Sequence, residues 1–215
     1  MKLFYAPAAC SLACHIALLE AGLKFSAIQV DLKTKTLPDG TSFYAINPQG
    51  WVPALQLKNG EILTEATAIL QYIADQAPAS NLAPAHGSFA RYKLQSWLSF
   101  IATELHKNFS PLFEIKLLAL DTVAPGATDY TLSTATARLV SRFTHLNQQL
   151  PAHGFLLGEY FTVADAYLYT VCGWAKLVRF DLTPYPALLD YLGRLAARPA
   201  IQAALAAEGL IRKGA

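Results

Sequence analysis

The stretch Tyr5-Ala6-Pro7-Ala8-Ala9-Cys10-Ser11-Leu12-Ala13-Cys14 carries two thiols and two hydroxyls, and its first thiol falls where a strand hands over to a helix. Unpaired backbone N–H groups and the helix dipole favour negative charge at such a point, so a thiol at Cys10 is expected to lean toward thiolate. The plainer alternative is a compact buried cysteine, and Cys14, one turn deeper, is expected to be that case. Farther along, Lys35 sits in a polar loop where a solvated surface lysine is usual. His106 is the one imidazole in a stripe of small polar residues.

The elements that must position these groups follow from patterning. Lys2 to Tyr5 is a short apolar, aromatic-rich run that reads as a strand, ended by Pro7. A helix starts near Ser11, places Ala13, Ile16, Ala17, Leu19 and Glu20 along its turns, and stops at Gly22. Ser26 to Asp31 alternates as a second strand, Lys33 to Gly40 is a loop, and Thr41 to Ile46 forms a helical turn. Asn47-Pro48-Gln49-Gly50 is a turn. Pro53 heads a strand, and Asn59-Gly60 joins Ala54 to Leu57 with Glu61 to Leu63 as an antiparallel hairpin. Thr64 is expected to cap a helix from Glu65 to Gln76 with Ile69, Leu70, Tyr72 and Ile73 on one face.

From Ser88 onward no strand is apparent. Residues 1–80 therefore read as a small α/β domain, 88–215 as an all-helical one, and 81–87, the end of the Pro- and Ala-rich run Ala77 to Gly87, as the linker. Between Phe89 and Leu118, Leu94, Leu98, Ile101, Leu105, Phe109 and Leu112 form an apolar stripe. Ser96, Ser99, Thr103, His106 and Ser110 form the polar one, suited either to a wall facing a cleft or another subunit, or to close helix packing. Pro111 is expected to kink or break this helix near Phe109. Asp121 to Asp129 reads as a loop and Tyr130 to Leu150 as a second long helix. Phe161-Thr162-Val163-Ala164-Asp165 carries a capping box opening an apolar helix to about Val178, the centre of the second domain. Further helices run from Ala187 to Ala197 and from Pro199 to Gly209.

Composition narrows the function classes. The chain is 53% hydrophobic and 15% charged, which argues against disorder and for an apolar patch reserved for a partner or ligand. Net charge is +2 and the basic residues are spread, so no nucleic-acid or membrane partner is expected. Three cysteines suit a reducing, cytoplasmic compartment rather than a disulfide framework. The apolar run Ala166 to Ala175 is too short to span a bilayer. Pro7, Ser11 and His15 interrupt what could otherwise pass for a secretion signal.

With Cys10-Ser11, Val52-Pro53, Thr64-Glu65-Ala66, Glu104-Leu105-His106-Lys107 and Phe161-Thr162-Val163-Ala164-Asp165-Ala166-Tyr167 in place, the sequence resembles the bacterial beta-class glutathione transferases along essentially its whole length. The resemblance implies a thioredoxin-like N-terminal domain plus an all-α C-terminal domain, a cytosolic homodimer, glutathione as co-substrate and no metal. It also implies that Val52 exchanges main-chain bonds with the cysteinyl residue and that Pro53 is cis. Glu65 would hold the γ-glutamyl ammonium, the Ala66 N–H the γ-glutamyl carboxylate, and Lys35 the glycyl carboxylate. Cys10 and His106 become the catalytic pair, with Ser11, Leu105 and Lys107 completing the site near Cys10. Ser99, Thr103 and Glu104 would reach glutathione from the neighbouring subunit. Two departures bear on affinity: the family usually has Asn at position 99, and frequently Ser at position 66.

The implied activity is conjugation of the glutathione thiolate to small hydrophobic electrophiles, held in a pocket for which Phe109, Phe113 and Trp174 are candidates. Ser11 or Tyr5 could supply a thiolate-stabilising hydroxyl. The alternatives are thiol-disulfide exchange or peroxidase chemistry through a mixed disulfide at Cys10, and a non-catalytic ligand-binding relative.

Overall fold

A computed structural model describes residues 1–117 and 127–211. Strand β1 (Lys2–Tyr5) lies inside a four-stranded sheet, parallel to β2 (Ser26–Gln29) and antiparallel to β3 (Ala54–Gln56), with β4 (Ile62–Thr64) beyond β3. Leu3 is the central pair, set between Ala27 and Leu55. Alternation splits the strand between two cores. Leu3 and Tyr5 join Leu55 beneath the helices, whereas Phe4 meets Ala54, Val30, Val52 and Phe43 on the opposite face. The hairpin forms at Asn59-Gly60, where Gly60 adopts φ +91°, a conformation in which a Cβ would be strained.

Helix α1 (Ser11–Glu20) follows β1 after a short loop and ends as expected: the Gly22 N–H, at φ +63°, bonds the Leu19 carbonyl, and the Leu23 N–H reaches back to Leu18. Helix α2 (Ala66–Gln76) differs from expectation at its start. Thr64 does not cap it, because Thr64 is still paired with Ala54 in the sheet. The N-cap position falls instead to Glu65, at φ 68° and ψ 119°, since one residue must turn the chain from strand into helix. A non-glycine residue held there costs about 1–3 kcal/mol.

Helix α3 (Phe89–Phe100) is capped by the Ser88 hydroxyl, which accepts from the Arg91 N–H at 3.1 Å. It continues through a π-helical stretch at Ile101–His106, helix α4 (Lys107–Leu112) and a second π-helical stretch at Phe113–Leu117. Of the kink or break expected near Phe109, no break occurs: Pro111 sits inside α4, and a second widened turn follows it. Helix α5 spans Thr128–Gln149, so it begins two residues before the expected Tyr130, and Asp129 is helical rather than loop. The rest of that expected loop, residues 121–126, lies outside the described residues.

Helix α6 (Val163–Leu177) is buried nearly all round, as its composition implies, and packs on α1, α2, α3 and α7 (Pro186–Ala196). Helix α8 (Pro199–Ala207) returns to α1, where Arg198 clasps Glu20 through bonds of 2.6 and 2.8 Å. One apolar core therefore runs from beneath the sheet into the helical half, through Ile16, Leu70, Leu105 and Tyr167. Across residues 81–87, the buried Arg91 pairs both oxygens of Asp75 at 2.9 and 3.0 Å and donates to the Pro84 carbonyl.

Candidate active site

The loop from β1 into α1 is held from several sides. The Ser11 hydroxyl closes it by donating to the Ala6 carbonyl and accepting from the Ala6 N–H, both at 3.2 Å. Ala8 stands at φ 60° with its N–H on Glu208 Oε2 at 3.1 Å and its carbonyl taking the Trp174 indole N–H at 2.7 Å. This presents Cys10 at the N-cap of α1 on the edge of a cleft of about 490 Å³. The Cys10 thiol donates to the Val52 carbonyl at 3.3 Å, across the cis Val52–Pro53 peptide that leads into β3.

The expectation that Cys10 leans toward thiolate is corrected. Burial pushes the thiol up to about 12, the Glu65 carboxylate adds to the rise, and the N–H groups of Cys10 and Ser11 offset only part of it. The half-buried Cys10 donates its S–H to the Val52 carbonyl, which favours the thiol form, and no cation is among the influences on it. Cys14, with no exposed surface, is the buried cysteine anticipated.

Ala66 and Thr67 open α2 onto the cleft, and no side chain caps that helix, so its first N–H groups are available to an anion. Glu65 lines the same wall with its carboxylate beside them, one residue past the end of β4. Asn47 shapes the adjoining turn by donating from Nδ2 to the Trp51 carbonyl at 2.7 Å and accepting from the Gln49 N–H at 3.1 Å. Lys35 is half-buried behind this wall, its Nζ on the Gly50 carbonyl at 2.9 Å and 4.5 Å over the Trp51 ring. It is therefore anchored rather than freely solvated, and burial lowers its pKa.

The opposite wall comes from the long helix. Ala102, His106, Ser110 and Glu114, spaced by four, line the cleft together with Lys107. Tyr167 of α6 closes its floor, with its hydroxyl 2.7 Å from His106 Nδ1. Burial and the Lys107 charge push His106 down to about 4, so it is neutral at physiological pH.

Not every expected residue arrives at this cleft. The Ser11 hydroxyl is spent on Ala6, and Tyr5 packs against His15, so neither presents a hydroxyl there. Leu105 is fully buried in the core and does not line the cleft. Ser99 and Thr103 are exposed outside the cleft, and Glu104 pairs with Arg142 of α5 at 2.5 Å. Phe109 and Trp174 are core: with half-buried Phe113 they form an aromatic cluster at 5.3–6.0 Å between ring centroids, behind His106. The open electrophile pocket expected from these three is thus not formed by them, because their rings satisfy one another. Among the lining residues that sequence reasoning missed are Asn47, Gln49, Trp51, Ala102, Glu114 and Tyr167. The four-residue spacing around His106 was the available signal for Ala102 and Glu114.

A groove of about 500 Å³ between α5 and the residues after α6 holds no thiol or imidazole, so the chemistry belongs to the Cys10 cleft. Among the described residues no cluster of three or more metal-ligating side chains occurs, and no helix is long and apolar enough to cross a membrane.

A thioredoxin-like sheet domain joined to a helical domain, with a cysteine at the first helix start and an uncapped helix N-terminus on the same cleft, defines the class of fold. Comparison specifies the family. A model of the glutathione S-transferase N-terminal domain matches residues 9–76, and one of the C-terminal domain matches residues 129–194. Glutathione S-transferase GstA of Escherichia coli O157:H7 is 44% identical, covering 98% of this chain and 100% of that one. A sphingomonad glutathione S-transferase solved with glutathione is 48% identical at a TM-score of 0.87, covering 98% of this chain and 100% of the other. The bacterial beta-class enzyme of Sphingomonas chungbukensis is 46% identical at 0.88, with the same coverage. The chain belongs to the glutathione S-transferase family, with the bacterial beta-class members, and is an enzyme of that kind.

Proposed function

We propose that the cleft binds glutathione and that the enzyme conjugates its thiolate to small apolar electrophiles. The observation that carries this reading is the facing arrangement of Cys10, the Val52 carbonyl, Glu65 and the uncapped start of α2 around one cavity. These groups match the parts of the tripeptide in turn. The Val52 backbone takes the cysteinyl amide, the Ala66 N–H the γ-glutamyl carboxylate, and Glu65 its ammonium. Lys35 is one side chain away, behind Trp51, and meets the glycyl carboxylate by exchanging the Gly50 carbonyl for it. The sphingomonad relative solved with glutathione supports the same ligand.

Conjugation is favoured over exchange because the Cys10 S–H is committed to the Val52 carbonyl and burial raises its pKa, whereas exchange needs an attacking thiolate. The exposure of Ser99 and Thr103 outside their own cleft supports a homodimer in which they serve the partner's cleft. Glu104 serves there as well only by sharing its carboxylate with Arg142. The three free cysteines fit a cytoplasmic setting. We retain 1–80 and 88–215 as the two domains, joined by 81–87.

Calorimetric titration with glutathione tests the reading. The wild-type protein should bind it, and Glu65→Ala should weaken binding by about 10- to 100-fold, the range for a hydrogen bond to a charged group. Conjugation of a chloro-dinitrobenzene probe should survive Cys10→Ala. No heat of binding at millimolar glutathione, or conjugation abolished with Cys10, would sink it.

A further inference from the structure

Tyr167 is the last residue of the stretch that opens α6; it is 2% exposed, yet it reaches the floor of the cleft that Cys10 also lines. Its hydroxyl lies 2.7 Å from His106 Nδ1, and the two rings meet nearly edge-on at 80°. Neither His106 nor Tyr167 has another side-chain hydrogen-bond partner among the described residues. We propose that Tyr167 positions His106 and that the two act as one uncharged hydrogen-bond donor toward the glutathione thiolate. The inference rests on the glutathione reading above.

The argument is a count of protons. A neutral imidazole carries one N–H and a phenol one O–H. The bond between them uses one of those two hydrogens, whichever way it runs. If the tyrosine donates to Nδ1, the histidine proton is on Nε2; if Nδ1–H donates, the tyrosine hydrogen is left over. In both arrangements one donor remains on a residue that lines the cleft, so the conclusion does not depend on the tautomer.

The count holds only while both groups stay neutral, and their surroundings keep them so. His106 is pushed down to about 4 by burial and Lys107, and the Tyr167 hydroxyl is driven far above its ordinary range by burial, then by Cys10, Cys14 and Glu65. The ionisable groups lining the cleft with the pair are Cys10 and Glu65 on the facing wall and Lys107 and Glu114 on the long helix itself. Rotation of the imidazole is restricted by Trp174, whose ring meets it at 4.6 Å and 77°. A fixed neutral donor at the site of a forming thiolate stabilises the charge without reorganising water.

Tyr167→Phe removes the hydroxyl and keeps the ring. With the wild type confirmed to bind glutathione, kcat should fall about 10- to 100-fold in this variant, because the phenol no longer directs the imidazole proton and ring, and the hydrogen bond to the thiolate is misaligned. The glutathione Kd should move less than kcat does. The alkaline limb that reports thiol ionisation in kcat/KM should shift to higher pH. Because the two residues act as a unit, Tyr167→Phe combined with His106→Phe should be no slower than His106→Phe alone. An unchanged kcat and limb in Tyr167→Phe, or losses that multiply in the double variant, would overturn the proposal while leaving glutathione binding intact. A wild type that binds no glutathione would overturn it together with the reading beneath it.

Discussion

The Cys10 sulfur takes opposing influences from its immediate neighbours. The N–H groups of Cys10 and Ser11 stabilise a thiolate, burial and the Glu65 carboxylate oppose it, and burial prevails. The consequence is specific to the unliganded protein. Its thiol, pushed up to about 12, should react with iodoacetamide slowly at neutral pH, and the rate should climb about ten-fold per pH unit through pH ~10 with no plateau. Intact-mass measurement of alkylation checks this, with Cys14 and Cys172 as buried internal references. A plateau near pH 8 would show that the helix terminus outweighs burial after all. Glu65 shows the other residue-scale compromise: its φ of 68° is unfavourable, and it holds the carboxylate at the mouth of the uncapped α2.

Among the elements, α6 depends most on one side chain. Asp165 has no exposed surface, and its Oδ2 accepts from the Thr162 N–H at 2.7 Å and the Thr162 hydroxyl at 2.6 Å. Its Oδ1 accepts from the Leu156 N–H at 2.9 Å and from the Tyr191 hydroxyl. Asp165→Ala orphans four donors in the core and should cost about 3–5 kcal/mol, whereas Tyr191→Phe, which removes one of them, should cost about 1 kcal/mol. Urea unfolding compares the two, and equal losses would mean the network is not centred on Asp165. The long helix shows a second element-scale effect. Ile101, Leu105 and Phe109 follow at two successive intervals of four, longer than the ~3.6 residues of a regular turn. The widened turn at Ile101–His106 keeps all three inside and carries Ala102 and His106 onto the cleft.

The whole molecule ties its C-terminal helix to its N-terminal loop. Glu208, with its side chain fully buried, bridges His15 Nδ1 at 3.0 Å and the Ala8 N–H at 3.1 Å, and Trp174 holds the Ala8 carbonyl from the other side. Ala8 at φ 60° would relax without these anchors, and the relaxation would carry Cys10 with it. Glu208→Ala should therefore speed Cys10 alkylation in the folded protein, while Glu208→Gln, which keeps an acceptor for Ala8, should stay nearer the wild-type rate. Matched rates in the two variants would show that Glu208 contributes packing alone.

Local rules sufficed for much of this protein. The β1 boundaries, the Asn59-Gly60 hairpin, the capping box at Thr162 and Asp165, the apolar stripe from Leu94 to Leu112 and the buried Cys14 each depend on side-chain period or on turn chemistry over a few residues. The motif residues Cys10, Val52, Glu65, Ala66 and His106 were legible too, and the fold brings them to one cavity. Tertiary structure alone decided what depends on partners distant in sequence. Thr64 was taken from α2 by its pairing with Ala54, and Trp174 from the ligand pocket by Ala8 and its aromatic neighbours. Tyr167 was joined to His106 across 61 residues, and Cys10 was set in a cleft with walls from both halves of the chain. Burial, strain and pKa are set by everything that surrounds a group, and a linear pattern records only its neighbours along the chain.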